Sequence, residues 1–274
     1  SVDSVQRTKE VAFKGTTEAG DPVRLTIDHH FIYGYVEESE DTWYIEPVRY
    51  LDTEAAADWY VIYPRSGVMP VEGVVCATET DAQEAARHFG PSKLPPGGAE
   101  SQMACYEAEI AIASDRSMFD KYGSTAGVEA HNAAVLNDVQ GNYTNGQFTH
   151  NINFQIVTSF TVTGTDPWTT STNASTLLGS FASWGAGGGF GTSFDLASLW
   201  TNRDFDGATI GIAYINGLCN SSTQYHCLQD FSTSADFLRV LTAHEIGHNF
   251  NCQHDPTGCS NFIMCPTVST ATQW

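Results

Sequence analysis

The sequence predicts an α+β protein in two parts, a β-rich N-terminal domain followed by an α/β domain. Three observations carry that reading. Residues 1–90 hold short aromatic and β-branched runs separated by polar turns, as successive antiparallel strands do. Residues 91–101, PSKLPPGGAES, concentrate proline, glycine and polar side chains with almost nothing to bury, which is linker composition. From Cys105 onward, strand-like and helix-like segments alternate, the pattern of layered α/β structure.

In the N-terminal domain the expected strands are VRLTI (23–27), HFIYGYVEE (30–38), TWYIEPV (42–48) and DWYVIYP (58–64). Each is rich in residues that suit a pleated, half-buried surface. In the second domain, 102–274, AEIAIAS (108–114) reads as a strand, 115–138 as a helical stretch and NINFQIVTSFTVT (151–163) as a long strand. TLLGSFASW (176–184) follows as a helix, GAGGGFG (185–191) as a loop, ATIGIAYI (208–215) as a strand and 234–249 as the last helix. The glycine loop has neither the Gly-Lys-Ser/Thr ending of a phosphate loop nor the spacing of a dinucleotide fingerprint, so it reads as a plain loop.

Composition limits the function. An apolar fraction of 41% over 274 residues supplies a core, and no apolar run approaches the roughly 18 residues that span a bilayer. A net charge of −20 repels phosphate backbones and anionic lipid, which argues against nucleic-acid and membrane-surface partners. The cysteines at 76, 105, 219, 227, 252, 259 and 265 suit an oxidising compartment, and the Asn142, Asn173 and Asn220 sequons fit a secreted, extracellular protein. The opening SVDSVQRTKE has no basic and apolar leader pattern, so the chain reads as a form whose leader has been removed.

The strongest chemical signal is His244-Glu245-Ile246-Gly247-His248, continued to His254-Asp255. Residues four apart lie on one helix face, so His244 and His248 can direct imidazoles at one point, with Glu245 offset by about 100°. A third nitrogen can come from His254 if the chain turns sharply after the helix, and Asn251 is the candidate turning residue. Three neutral imidazoles with an open fourth position suit catalytic zinc. In that chemistry Glu245 takes a proton from the zinc-bound water, hydroxide attacks a peptide carbonyl and Glu245 returns the proton to the leaving amine. Met264, in FIMCP, lies where a turn can place its thioether beneath the histidines.

These residues resemble the adamalysin (reprolysin) branch of the metzincin zinc endopeptidases, whose signature is H-E-x-x-H-x-x-G-x-x-H-D followed by a Met-turn. The segments YEAEIAIASDRSMFDKY (106–122) and DFDGATIGIAYINGLC (204–219) are similar to that family's opening strand and helix and to its approach to the active-site helix. The HFIYGYVEESEDTWYIEPV block (30–48) is similar to its propeptide. The resemblance implies a metzincin-like zinc protease domain behind an inhibitory propeptide domain. It assigns zinc binding to His244, His248 and His254, the base to Glu245 and the Met-turn to Met264. It further implies proteolysis of protein or peptide substrates laid along an edge strand, and a calcium site with Glu109 and Asp195 at matching positions. Asn251 stands where the family usually has glycine, and asparagine is the next most tolerant residue of a left-handed backbone.

If residues 1–90 are a propeptide, the chain itself is the intramolecular inhibitor of its own site. Cys76, in GVVCATE, is the candidate fourth zinc ligand, although its surroundings differ from the family's cysteine-switch motif. Setting Cys76 aside leaves an even number of cysteines, able to pair fully with the connectivity open. Two other readings keep the same residues: a silent protease-like binding protein that retains zinc, and a zinc hydrolase of small amides. An intact Glu245 argues against the first, since the base is the residue whose loss most cheaply abolishes chemistry.

Overall fold

The computed structural model describes residues 11–28, 31–71, 73–78, 106–256 and 258–274. The expected domain boundary near residue 90, the 91–101 linker and Cys105 lie outside the described residues.

The N-terminal part is one antiparallel sheet in sequence order, β1 (Val11–Thr16), β2 (Pro22–Asp28), β3 (Phe31–Glu37), β4 (Thr42–Pro47) and β5 (Tyr60–Pro64). Arg24 faces Tyr35 and Tyr35 faces Tyr44 across the ladder, so one face carries Arg24, Thr26, Tyr33, Tyr35, Tyr44 and Glu46, all buried. Gly34 has φ 141°, and a Cβ there would stand 2.1 Å from the Arg24 carbonyl oxygen, so only glycine allows this strand approach. Strand β1 is an addition to the sequence expectation.

The second sheet has the order β6-β10-β11-β9-β7-β8. Its strands are β6 (Val75–Cys76), β7 (Tyr106–Ser114), β8 (Ile152–Thr161), β9 (Leu196–Thr201), β10 (Thr209–Ala213) and β11 (Tyr225–Gln229). All neighbours run parallel except β10 and β11. The helices are α1 (Arg116–Tyr122), α2 (Thr125–Tyr143), α3 (Ala174–Ala186) and α4 (Ala235–Asn249). The helical stretch expected over 115–138 is thus two helices. Asp115 caps α1 by accepting from the Ser117 and Met118 amides, Gly123 ends it at φ 74°, and Ser124 caps α2. Sequence reading also missed β9 and β11. Both are buried along their whole length, so neither shows the alternation that marks a one-sided strand.

Helix α3 packs on one face of this sheet around Phe181, Leu177 and Tyr225. Helices α2 and α4 pack on the other, and the N-terminal sheet lies over them, so Tyr33, Tyr35 and Tyr44 share a core with Val135, Val139 and Leu241. Full cysteine pairing is not what the described residues show. Cys259 and Cys265 form a disulfide, whereas Cys76, Cys219, Cys227 and Cys252 are free thiols, with Cys227 sealed in the α3-side core. The Asn142 sequon is inaccessible, because its carboxamide is buried and accepts from Arg239 Nη1 at 2.8 Å. Among the described residues no helix is long and apolar enough to cross a membrane.

Candidate metal centre and active site

Helix α4 is buried from end to end and carries His244, Glu245 and His248. Beyond it the chain reverses within a few residues: Phe250 N–H donates to the Ile246 carbonyl, Asn251 N–H to that of His248 and Cys252 N–H to that of Gly247. Asn251 sits at φ 76°, the left-handed conformation expected of the turning residue. The reversal returns His254 to the helix. The three Nε2 atoms then stand 3.0 Å (His244–His248), 3.1 Å (His244–His254) and 3.2 Å (His248–His254) apart.

The tautomers of the two helical histidines follow from their outer partners. His244 Nδ1 lies 2.6 Å from the Ile263 carbonyl oxygen and His248 Nδ1 2.8 Å from that of Cys252. A carbonyl only accepts, so each Nδ1 carries the proton and each Nε2 points a lone pair at the common centre. Burial holds both imidazoles neutral, pulling the His248 pKa down to about 3 and that of His244 well below its ordinary value. Lone pairs converging at this distance repel one another unless a cation lies between them. Zinc fits: tetrahedral Zn–N bonds of about 2.0–2.1 Å set nitrogens roughly 3.3 Å apart.

The fourth member of the group is Cys76. Its Sγ is 3.6 Å from His248 Nε2, and the Sγ and the histidine nitrogens all lie within 4.8 Å of one another. Strand β6 brings it there. Val75 N–H donates to the Ala208 carbonyl and Ala77 N–H to that of Gly211 along β10, while Cys76 N–H donates to the Pro266 carbonyl on the opposite wall. The segment therefore fills a slot between β10 and residues 266–267. Thr78, which sequence reading passed over, anchors it: its Oγ1 accepts from the Ala213 amide at 3.2 Å and lies 2.9 Å from Cys76 Sγ. Burial, with Glu245 nearby, pushes the Cys76 thiol well up.

Glu245 is fully buried beside this slot, and burial pushes its carboxyl up to about 8. Two glycines make room for the machinery, and neither stands out in the sequence. A Cβ on Gly211 of β10 would meet Glu245 Oε1 at 2.3 Å, and one on Gly247 of α4 would meet Met264 Sδ at 2.7 Å. Met264 accordingly packs against the helix at Gly247, between His244 and His248 in sequence, and Asp255 N–H donates to the Met264 carbonyl.

The residues matched to calcium ligation are adjacent. Asp195 Oδ2 accepts from the Glu109 amide at 2.9 Å, and the Asp195 amide donates to the Glu109 carbonyl. Among the described residues they belong to no cluster of three or more metal-ligating groups.

The description of metallo-peptidase family M12, in its reprolysin type, matches residues 106–274. A zinc metalloproteinase-disintegrin-like protein of Cerberus rynchops is 41% identical over 76 residues, which are 28% of this chain and 12% of that relative. The chain thus spans about an eighth of the length of the relative it matches.

Proposed function

Since the chain belongs to the reprolysin-type metallopeptidases of family M12, we propose that it is a secreted zinc endopeptidase acting on protein or peptide substrates, held latent by its own N-terminal domain. The observation that carries this reading is the convergence of three imidazole Nε2 atoms within 3.0–3.2 Å, with Cys76 Sγ as their fourth neighbour.

His244, His248 and His254 would hold the ion, and the chemistry it supplies when bound is Lewis acidity toward water and a carbonyl. Glu245 does the proton work. Its carboxylate takes a proton from the attacking water and passes it to the leaving amine nitrogen. The slot between β10 and residues 266–267 offers a peptide backbone carbonyls and amides on both sides, as it does to Val75, Cys76 and Ala77. Cys76 blocks the reaction by placing sulfur where water and substrate must meet, and as a zinc ligand it would be a thiolate. The N-terminal sheet and this segment together are the propeptide.

For calcium, Glu109 and Asp195 offer one carboxylate each toward a shell of about 6–8 oxygens, and one Asp195 oxygen is already engaged by the Glu109 amide.

The test compares cleavage of an unstructured protein by the intact chain and by the chain cut at 91–101 and freed of its N-terminal part, with Glu245→Ala as the blank. Activity appearing only after removal, and absent in the blank with zinc retained, is the expected result. Silence of the freed chain would overturn the endopeptidase reading, and equal activity of the intact chain would overturn latency.

A further inference from the structure

Beneath α4 lies a chain of polar side chains sealed from solvent and separate from the metal ligands. Ser198 of β9, His226 of β11 and Asn249 at the end of α4 are each at most 1% exposed. Ser198 Oγ is 2.5 Å from His226 Nε2, His226 Nδ1 is 2.8 Å from Asn249 Oδ1, and Asn249 Nδ2 donates to the Tyr214 carbonyl at 2.8 Å and to that of Tyr225 at 3.3 Å. The two carbonyls fix the Asn249 amide, so its Oδ1 faces the imidazole and can only accept. His226 Nδ1 therefore carries the proton, Nε2 accepts, and the Ser198 hydroxyl donates. Every donor and acceptor in this line has one assignment. The triad-like order of side chains is not a hydrolytic site, because no substrate reaches it.

What the line connects is specific. Asn249 follows the ligand His248, and Tyr214 follows β10, the wall of the slot. The same junction is closed by Asn216 N–H donating to the His248 carbonyl and Leu218 N–H to that of Asn249. Between α4 and β10 there is no slack, since a single Cβ at Gly211 would overlap Glu245 Oε1. We propose that Asn249, held in one orientation by Ser198 and His226, is a positioning residue for peptide hydrolysis: it sets the distance between α4, with His248 and Glu245, and the β10 wall along which the scissile peptide lies. The proposal rests on the endopeptidase reading above. The metal grip has its own supports at the Ile263 and Cys252 carbonyls, so the line serves alignment of Glu245 with the substrate rather than ion affinity.

The experiment uses the freed enzyme with wild type as reference and two near-isosteric replacements, His226→Leu and His226→Asn. Only the second restores a donor where Nδ1 faced Asn249. His226→Leu is expected to lower kcat by about 10- to 100-fold with KM within about threefold, the penalty of an ångström-scale misplacement. His226→Asn should recover most of that loss. Chelator competition on the metal-stripped proteins should give zinc affinities for both variants within about threefold of wild type. Ser198→Ala is a second probe that keeps the core volume. Asn249 Oδ1 still keeps the proton on Nδ1, but without the Ser198 bond the imidazole is free to tilt and loosen its hold on Asn249, and kcat should fall several-fold. Equal kcat in the Leu and Asn variants, zinc affinity falling in step with kcat, or unchanged kcat in Ser198→Ala would each overturn the proposal while the endopeptidase reading stands. A silent wild type would overturn both.

Discussion

Glu46 of the N-terminal sheet accepts a hydrogen bond from the Ala235 amide, the first helical residue of α4, at 2.8 Å. Ser234, the residue in the cap position, makes no side-chain bond of its own. The helix that carries His244, Glu245 and His248 is therefore capped by a residue nearly two hundred positions earlier. Tyr63 donates to the same carboxylate. Nearby, Asp236 accepts from Tyr44 at 2.6 Å and pairs with Arg65 and Arg239.

This contact makes the hold of the N-terminal sheet pH-dependent. Burial pushes the Glu46 carboxyl up to about 7, against the downward pull of the Tyr63 and Ala235 hydrogen bonds. The folded state thus keeps a proton that the unfolded chain, with an ordinary carboxyl near about 4.3, has already released. Between these two values the folded state binds more protons, so stability falls as pH rises and the loss is complete above about 7. Melting of wild type and Glu46→Gln from pH 4 to 8 should show a steeper decline in wild type than in the variant, since glutamine mimics the protonated acid while Glu245 contributes equally to both. Parallel profiles would remove Glu46 from the account.

Cys76→Ala in the uncut chain should raise peptidase activity above that of uncut wild type, because the sulfur neighbouring the three imidazoles is gone. The segment itself stays hydrogen-bonded to β10 and Pro266, so activity should remain below that of the freed enzyme. Initial rates on a short fluorogenic peptide separate the cases. No rise would mean that latency is carried by the strand and not by the thiol.

His254→Ala should weaken zinc binding by roughly 100-fold or more, because removing even a supporting partner of a ligand typically costs about 10–100-fold. His254 lies on the loop that Asn251 turns, and it closes the triangle with the two helical imidazoles. Competition with a chromogenic chelator gives the affinity directly, and an unchanged value would strike His254 from the ligand set.

Gly211→Ala should leave zinc in place and depress turnover by about 10- to 100-fold, because the new methyl must displace the Glu245 carboxylate or the Leu241 side chain. Overpacking of this kind also costs about 1–3 kcal/mol of stability. Zinc stoichiometry measured beside kcat checks it. Wild-type kcat would show that the carboxylate tolerates displacement.

The histidine triangle was legible because its determinants are local: a four-residue helical step and one turn bring His244, His248 and His254 together. The strands of the N-terminal sheet were legible where aromatic residues alternate, as in β3 with Tyr33 and Tyr35 inward. Strands β9 and β11 were not, since complete burial erases alternation and β11 hides His226 and Gln229 among its apolar residues. Gly211, Thr78 and the Glu46 cap were illegible for another reason. Each acts on a partner far away in the chain, and no sequence spacing announces such a meeting.

The N-terminal part grips α4 at both ends, through Tyr44, Glu46 and Arg65 at its start and through Cys76 beside His248, about 20 Å along the axis. Both grips lie on the same side of the 91–101 linker. A cut in that linker severs neither, and each grip keeps the other at high effective concentration, as in any bivalent ligand. A nick in the linker and release of the N-terminal part are therefore separate events. Only a break in the connection between Arg65 and Val75, where Met69 is 83% exposed, would turn this two-point hold into two weak single-point ones.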